Sequence, residues 1–189
     1  FDPNNFGAIA KYIELLLQLN KPQDVGKYCK IYYEFYHEDD EKLREMAKIL
    51  YRWDQYKFSL KFLERAIAVN RNDTRANIQY LKLLAKLKID DTVLDRCKII
   101  LEFEPNNSEI RTEYGKILAL AGQKKGAKNE FKLALKIDPK NEIPLILLGI
   151  IAQEEGNENL ALNYFRRSVK TNPLNINAIL KLGNYLLEI

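Results

Sequence analysis

Residues 139–173 read PKNEIPLILLGIIAQEEGNENLALNYFRRSVKTNP. The stretch holds two amphipathic runs, Ile143 to Ala152 and Leu160 to Val169, and a proline stands at each end. Apolar residues recur at helical spacing in both runs, and Glu-Glu-Gly-Asn separates them. Proline cannot continue a helix and disfavours helix at the residue before it. The stretch therefore predicts a hairpin of two helices that is bounded by turns.

The same hairpin recurs along the chain with a period of 34 residues. Pro139 and Pro173 are 34 positions apart, and steps of the same length lead back to Pro105 and to Pro3. A fixed period of this size indicates a repeat architecture, in which each unit packs on its neighbours. We predict a single array of repeats over residues 6–39, 40–73, 74–107, 108–141 and 142–175, with the start of a sixth at 176–189. We also expect the sequence to be a piece of a longer protein, because it begins within the tail of one repeat.

Small residues and one aromatic residue recur at fixed positions of two repeats. Counted from the start of each repeat, position 8 is Gly115 or Gly149 and position 24 is Phe131 or Phe165. The turn glycines, the two small residues of the second helix and the closing prolines recur as well: Gly122 and Gly156, Ala127 and Ala161, Ala134 and Ser168, Pro139 and Pro173. These residues resemble the tetratricopeptide repeat, and the resemblance extends over essentially the whole chain.

The resemblance implies an all-α fold, a right-handed α-α superhelix (solenoid) of tetratricopeptide helical hairpins. The first helix of each repeat, helix A, covers about positions 1–14, and helix B covers about positions 17–31. Serine is a favourable N-cap residue, so we expect Ser108 to cap helix A of its repeat.

Two repeats, at 6–39 and 74–107, depart from the pattern together. Positions 8, 20 and 27 carry larger residues, which are Ile13, Val25 and Tyr32 in one repeat and Leu81, Val93 and Ile100 in the other. Position 24 carries a smaller residue, Cys29 or Cys97. Cores tolerate substitutions that conserve total volume, so we interpret both cysteines as packing residues. They lie two repeats apart, about 20 Å for helices that stack at about 8–10 Å, which is too far for a disulfide. Free buried thiols favour a reducing compartment, the cytoplasm.

The remaining composition excludes several classes of function. No apolar run approaches the roughly 20 residues that a bilayer helix needs. There is one histidine, His37, and no phosphate-binding glycine loop, so the sequence predicts no catalytic site, no cofactor and no metal site. A formal net charge of +4 permits an acidic partner without requiring nucleic acid.

The resemblance also implies which residues form the inner face of the array, namely positions 2, 5, 6, 9, 12 and 13. Position 9 is lysine in three successive repeats: Lys48, Lys82 and Lys116. Arg75, Gln79 and Lys86 make the third repeat a basic and polar centre. The fifth and sixth repeats instead present an apolar patch, which includes Ile143, Ile146, Leu147 and Ile150 of the fifth. Glu113 precedes Lys116 by three residues and is expected to neutralise part of its charge.

We therefore expect a non-catalytic scaffold that binds a protein or peptide segment with acidic and apolar residues and supports assembly of a larger complex. A clamp for a C-terminal carboxylate is not favoured, because Glu109 and Glu113 stand where the resemblance requires cations. Two alternatives stay open. The apolar face of the fifth repeat could be covered by a second copy of the chain or by further repeats, or the array could bind RNA, although Glu41, Glu45, Glu109 and Glu113 interrupt its basic face.

The many aromatic residues near the junction of the first two repeats have two interpretations. Packing between helices is the simpler one. The alternative is an exposed aromatic patch that binds a ligand, with Tyr33, Tyr36 and Tyr56 as its outward members.

Overall fold

The computed structural model describes residues 5–87 and 91–188, and these residues form helices joined by short turns. The helices in chain order are α1 (Phe6–Gln18), α2 (Pro22–Tyr36), α3 (Asp40–Arg52), α4 (Tyr56–Val69), α5 (Thr74–Leu87), α6 (Asp91–Phe103), α7 (Ser108–Leu120), α8 (Lys124–Ile137), α9 (Glu142–Glu154), α10 (Glu158–Thr171) and α11 (Ile176–Glu188). None of the described helices is long and apolar enough to span a membrane.

The chain divides into two compact units, Phe1–Lys88 and Ile89–Ile189. The first unit contains α1 to α5, and the second contains α6 to α11. Within the units, α1 packs on α2, α3 on α4, α7 on α8 and α9 on α10 as antiparallel hairpins. The odd-numbered helices begin at the residues that the 34-residue period gives for helix A.

An asparagine or aspartate side chain begins helix A at every repeat boundary. Asn107 accepts hydrogen bonds from the backbone N–H groups of Glu109 and Ile110, at 3.0 and 3.1 Å. The prediction that Ser108 caps this helix was wrong, because Asn107 satisfies the first-turn donors and the Ser108 hydroxyl donates instead to the carbonyl of Ala134. The equivalent caps, 34 residues apart, are Asn5, Asp39, Asp73, Asn141 and Asn175.

The two best-formed hairpins close around a contact between a glycine and a phenylalanine ring. A Cβ atom built on Gly149 of α9 would lie 2.5 Å from Cε1 of Phe165 on α10, closer than real Cβ atoms approach other atoms. Gly115 of α7 has the same relation to Phe131 of α8. The ring therefore packs directly on the helix backbone, and only glycine admits that approach.

The first unit fills the same place with other pairs of residues. In the α3–α4 hairpin the residues at positions 8 and 24 are Ala47 and Leu63, and in the α1–α2 hairpin they are Ile13 and Cys29. All four are buried in one hydrophobic core. As the residue on helix A grows from glycine to isoleucine, the residue on helix B shrinks from phenylalanine to cysteine, as expected for a core of constant volume.

Both cysteines are buried and free of disulfide bonds. Burial raises the pKa of the Cys29 thiol and of the Cys97 thiol to about 12, since a thiolate is poorly solvated inside the protein. Both side chains are therefore neutral thiols near neutral pH, as the packing interpretation requires.

The aromatic residues of the first unit divide between core and surface. Tyr32 and Phe62 are almost fully buried, with ring centroids 5.7 Å apart, and the Tyr32 hydroxyl donates to the carbonyl of Lys42. Tyr33, Tyr36 and Tyr56 are half-buried and pack against this core. Packing accounts for most of the cluster, and part of its surface faces outward.

The ring contact predicts the stability of a single variant. Gly149→Ala should lower the free energy of unfolding by about 1–3 kcal/mol through overpacking, which outweighs the higher helix propensity of alanine. Combining it with Phe165→Leu recreates the Ala47–Leu63 pair of the α3–α4 hairpin, so the double variant should lose less than the sum of the single losses. Urea denaturation of the four proteins measures this coupling.

Gly183 supplies the control for the Gly149→Ala variant. It occupies position 8 of α11, and nothing lies within 4 Å of a Cβ built there. Gly183→Ala should leave stability unchanged or raise it by up to about 1 kcal/mol, because alanine favours the helix. Equal losses in Gly149→Ala and Gly183→Ala would contradict the role of the ring contact.

Candidate functional site

Three of the residues predicted to bind a partner meet in one pocket of the first unit. This α3–α5 pocket has a volume of about 140 Å³ and is lined by Lys48, Tyr51, Ser59, Leu63, Gln79 and Lys82. On α3, Lys48 and Tyr51 are three residues apart, and on α5, Gln79 and Lys82 have the same spacing. Residues at this spacing share a helix face, so both helices direct their side chains at the pocket.

The floor of the α3–α5 pocket is apolar and its rim is positively charged. Leu63 is 1% exposed and Ser59 is fully buried, and the Ser59 hydroxyl is already engaged as a donor to the carbonyl of Ala47 at 2.8 Å. Lys48 and Lys82 are exposed on the two flanking helices. The pocket can therefore take an apolar group into its floor while both ammonium groups attract an anion beside it.

Lys86 lies beside this pocket and is held by two tyrosines. Its Nζ atom is 4.5 Å from the ring centroid of Tyr56 and 5.2 Å from that of Tyr51, which also lines the pocket. The Asp54 carboxylate is 3.9 Å away. A hydrogen bond with Tyr56 raises the pKa of the Lys86 ammonium group, and the charges of Tyr56, Tyr51 and Asp54 act in the same direction against the opposing effect of desolvation.

Arg75 does not line the α3–α5 pocket, although the sequence predicted one basic centre for Arg75, Gln79 and Lys82. It lines an open polar depression together with Asp40, Arg44 and Asp73, among others. Arg44 and Asp73 form a buried ion pair, and Asp73 also accepts from the backbone N–H of Arg75 at 2.9 Å as it caps α5. The ion pair joins α3 to the residue that caps α5, and it therefore holds in place the two helices that flank the α3–α5 pocket.

The other predicted residues belong to the second unit. The Lys116 ammonium group is 2.8 Å from the Glu113 carboxylate, so the expected pairing is present. Among the apolar residues of α9, Ile143 is 42% exposed, Leu147 and Ile150 are half-buried, and Ile146 is 9% exposed. Ile143, Leu147 and Ile150 retain surface for a contact, whereas Ile146 contributes mainly to the core.

Sequence reasoning did not name Tyr51, Ser59 or Leu63 as lining residues. Tyr51 occupies position 12, one of the inward positions that the resemblance implies, so that rule applied to every repeat would have found it. Ser59 and Leu63 lie on helix B, at positions that the resemblance assigns to packing. They line the pocket because α4 packs against both α3 and α5.

Titratable residues form no metal-binding cluster in the part of the chain that the structure describes. No group of three or more histidine, cysteine, aspartate or glutamate side chains there could hold a metal ion. The single histidine, His37, makes a hydrogen bond of 3.1 Å through Nδ1 with the carbonyl of Glu34 at the end of α2.

A family model described as tetratricopeptide repeat matches residues 108–141. This interval is the fourth repeat of the 34-residue period and contains the contact of Phe131 with Gly115. The match covers that one repeat of the chain. No curated protein matches the chain in sequence.

Solved structures show the same tetratricopeptide fold. TTC0263 from Thermus thermophilus, described as a thermophilic tetratricopeptide protein, is 15% identical, with a TM-score of 0.69 over 96% of this chain and 99% of that one. MamA from Desulfovibrio magneticus RS-1 (residues 41 to the end) is 15% identical, with a TM-score of 0.66 over 93% and 98% of the two chains. YrrB, described as having an unusual peptide-binding site, is 18% identical, with a TM-score of 0.61 over 90% and 88%. The predicted all-α tetratricopeptide fold is confirmed.

The environment of Lys86 predicts the effect of a conservative substitution in the first unit. Tyr56→Phe keeps the ring and removes the hydroxyl that hydrogen-bonds with the ammonium group, so the pKa of Lys86 should fall toward its ordinary value. Tyr51→Phe should lower it less, because Tyr51 acts only through its charge. Titration of the Lys86 side-chain resonances by NMR measures both pKa values, and an unchanged pKa in Tyr56→Phe would contradict the assigned contact.

Proposed function

We propose that the chain is a non-catalytic scaffold that binds a segment of a partner protein and supports assembly of a larger complex. The observation that carries the proposal is the α3–α5 pocket, where an apolar floor lies between two exposed lysines on separate helices. The tetratricopeptide fold supports the same conclusion, because stacked helical repeats provide extended binding surfaces.

The chemistry of the α3–α5 pocket defines the partner segment. Its volume of about 140 Å³ is close to that of cavities of about 150 Å³ that accept a benzene ring. One apolar side chain therefore fits over Leu63 and beside the Tyr51 ring. A carboxylate next to that side chain would lie between Lys48 and Lys82, and the Gln79 amide can donate to or accept from the segment's backbone.

The second unit offers a separate apolar contact for such a segment. Ile143 is exposed, and Leu147 and Ile150 expose part of their side chains. Lys116 adds little net charge there, because Glu113 pairs with it. A partner with acidic residues for the first unit and bulky apolar residues for the second matches both surfaces.

The peptide-binding description of YrrB is consistent with a segment as the ligand. RNA is a weaker candidate for the described surface, because a continuous basic face is lacking where Glu113 neutralises Lys116. Binding to RNA also falls steeply with salt concentration, which separates the two classes of ligand experimentally.

Capture experiments with charge-reversed variants test the proposal. Lys48→Glu/Lys82→Glu should lower recovery of the partner at least tenfold, since both substitutions repel a carboxylate in the α3–α5 pocket. Lys57→Glu is the matched control, because Lys57 is exposed on α4 and lines neither the pocket nor its rim. Unchanged recovery with the double variant, at unchanged melting temperature, would reject the pocket as the binding site.

A second copy of the chain is the alternative partner for the apolar residues on α9. Sedimentation of the wild type and of Ile143→Glu distinguishes self-association from binding of a partner segment. Ile143 is the suitable position because its exposed side chain can be replaced without disturbing the core. We expect the wild type to sediment as a monomer over the micromolar range. A dimer that Ile143→Glu abolishes would instead assign this surface to a second copy of the chain.

A further inference from the structure

A second pocket of the first unit lies between two B helices, α2 and α4. This α2–α4 pocket has a volume of about 190 Å³ and is lined by Gly26, Cys29, Lys30, Tyr33, Phe58, Lys61 and Phe62. It shares no lining residue with the α3–α5 pocket. The two pockets can therefore be occupied and altered independently.

On the α2 side, two small residues line the α2–α4 pocket. Gly26 has no side chain, and a Cβ built there would lie 3.3 Å from Cζ of Phe58. One helical turn further, Cys29 stands at the position that holds Phe131 or Phe165 in the well-formed hairpins. Gly26, Cys29 and the Phe58 ring all line the pocket.

Aromatic rings and a thiol form the inside of the α2–α4 pocket. Tyr33 and Phe62 meet edge to face, with ring centroids 5.9 Å apart, and Phe62 is 2% exposed. The buried Cys29 thiol, 3% exposed, is neutral and polarizable. Ring edges and sulfur atoms both make favourable contacts with an additional aromatic ring.

The rim of the α2–α4 pocket is basic. Lys61 places its Nζ atom 5.5 Å from the centroid of the Tyr33 ring. Lys30, on the opposite helix, is 4.0 Å from Glu34, and both side chains are largely exposed, so that ion pair is weak and easily exchanged. An anionic group next to the occupant of the pocket would meet two ammonium groups.

We propose that the α2–α4 pocket docks one aromatic side chain of an acidic segment from a partner protein. The volume of the pocket exceeds the roughly 150 Å³ that accepts a benzene ring, and the rim supplies cations on both sides for carboxylates next to the aromatic residue. The scaffold then holds two segments on one unit, one in the α3–α5 pocket and one in the α2–α4 pocket. This site is additional to the proposed function and does not depend on it.

A short peptide provides the probe for this site. The peptide acetyl-Asp-Glu-Phe-Glu-Asp-amide is titrated into ¹⁵N-labelled protein and followed by NMR, with millimolar affinity expected. Amide shifts should concentrate at Gly26, Lys30 and Lys61. Replacing the phenylalanine of the peptide by alanine, or its acidic residues by lysine, should weaken binding at least tenfold.

Two kinds of protein variant test the pocket itself. Lys30→Glu/Lys61→Glu should weaken binding of the peptide at least tenfold, whereas Lys57→Glu on α4 should not change it. Gly26→Leu fills the pocket with a residue that favours the helix, so it should abolish binding while the melting temperature shows that the fold is kept. If Gly26→Leu unfolds the chain, the lysine variants still decide the question.

Several results would overturn the proposal. Shifts confined to Gln79, Lys82 and their neighbours would place the peptide in the α3–α5 pocket alone and leave the proposed function standing. No shifts at millimolar peptide would reject an acidic aromatic ligand for the α2–α4 pocket. The chain itself has an exposed phenylalanine between two glutamates, Phe103, so self-association that both Phe103→Ala and Lys30→Glu/Lys61→Glu abolish would assign the pocket to a second copy.

Discussion

The contact of a phenylalanine ring with the bare backbone of a glycine sets the distance between the two helices of a hairpin. In the α9–α10 hairpin, no side chain larger than a hydrogen atom fits at Gly149 beneath Phe165. Because protein interiors are close-packed, the volume at this contact decides how closely helix B lies on helix A. The first unit keeps the contact with other residues, and Ile13 with Cys29 is the pair furthest from the glycine–phenylalanine arrangement.

The same kind of helix cap recurs at the start of each hairpin. Each repeat boundary places an asparagine or aspartate before helix A, where its side chain satisfies first-turn N–H groups that have no partner within the helix. At Asp73 the cap also forms the buried ion pair with Arg44. Asp73 therefore both caps α5 and links α5 to α3. Both helices contribute to the α3–α5 pocket.

Both pockets lie in the first unit, whose residues depart from the pattern of the best-formed repeats. The small residues Gly26 and Cys29 line the α2–α4 pocket, and Tyr51 supplies an aromatic wall to the α3–α5 pocket. In the second unit, α7 to α10 repeat the glycine–phenylalanine contact, and the candidate contact residues lie on the exposed face of α9. On these helices, the residues that pack the hairpin are therefore different from the residues that form the candidate contact surface.

The sequence by itself determined the helices, their period and the residues of the hairpin contacts, because helical periodicity, proline and glycine act within one repeat and recur every 34 residues. The resemblance that these residues carry also implied that Lys48, Gln79 and Lys82 share the inner face of the array. Only the tertiary structure separated Arg75 from them, buried most of Ile146 and revealed the floor formed by Ser59 and Leu63. These outcomes depend on how closely three helices approach one another and on which ion pair a side chain joins. Such distances are set by the packing of residues far apart in the chain, and no single repeat contains that information.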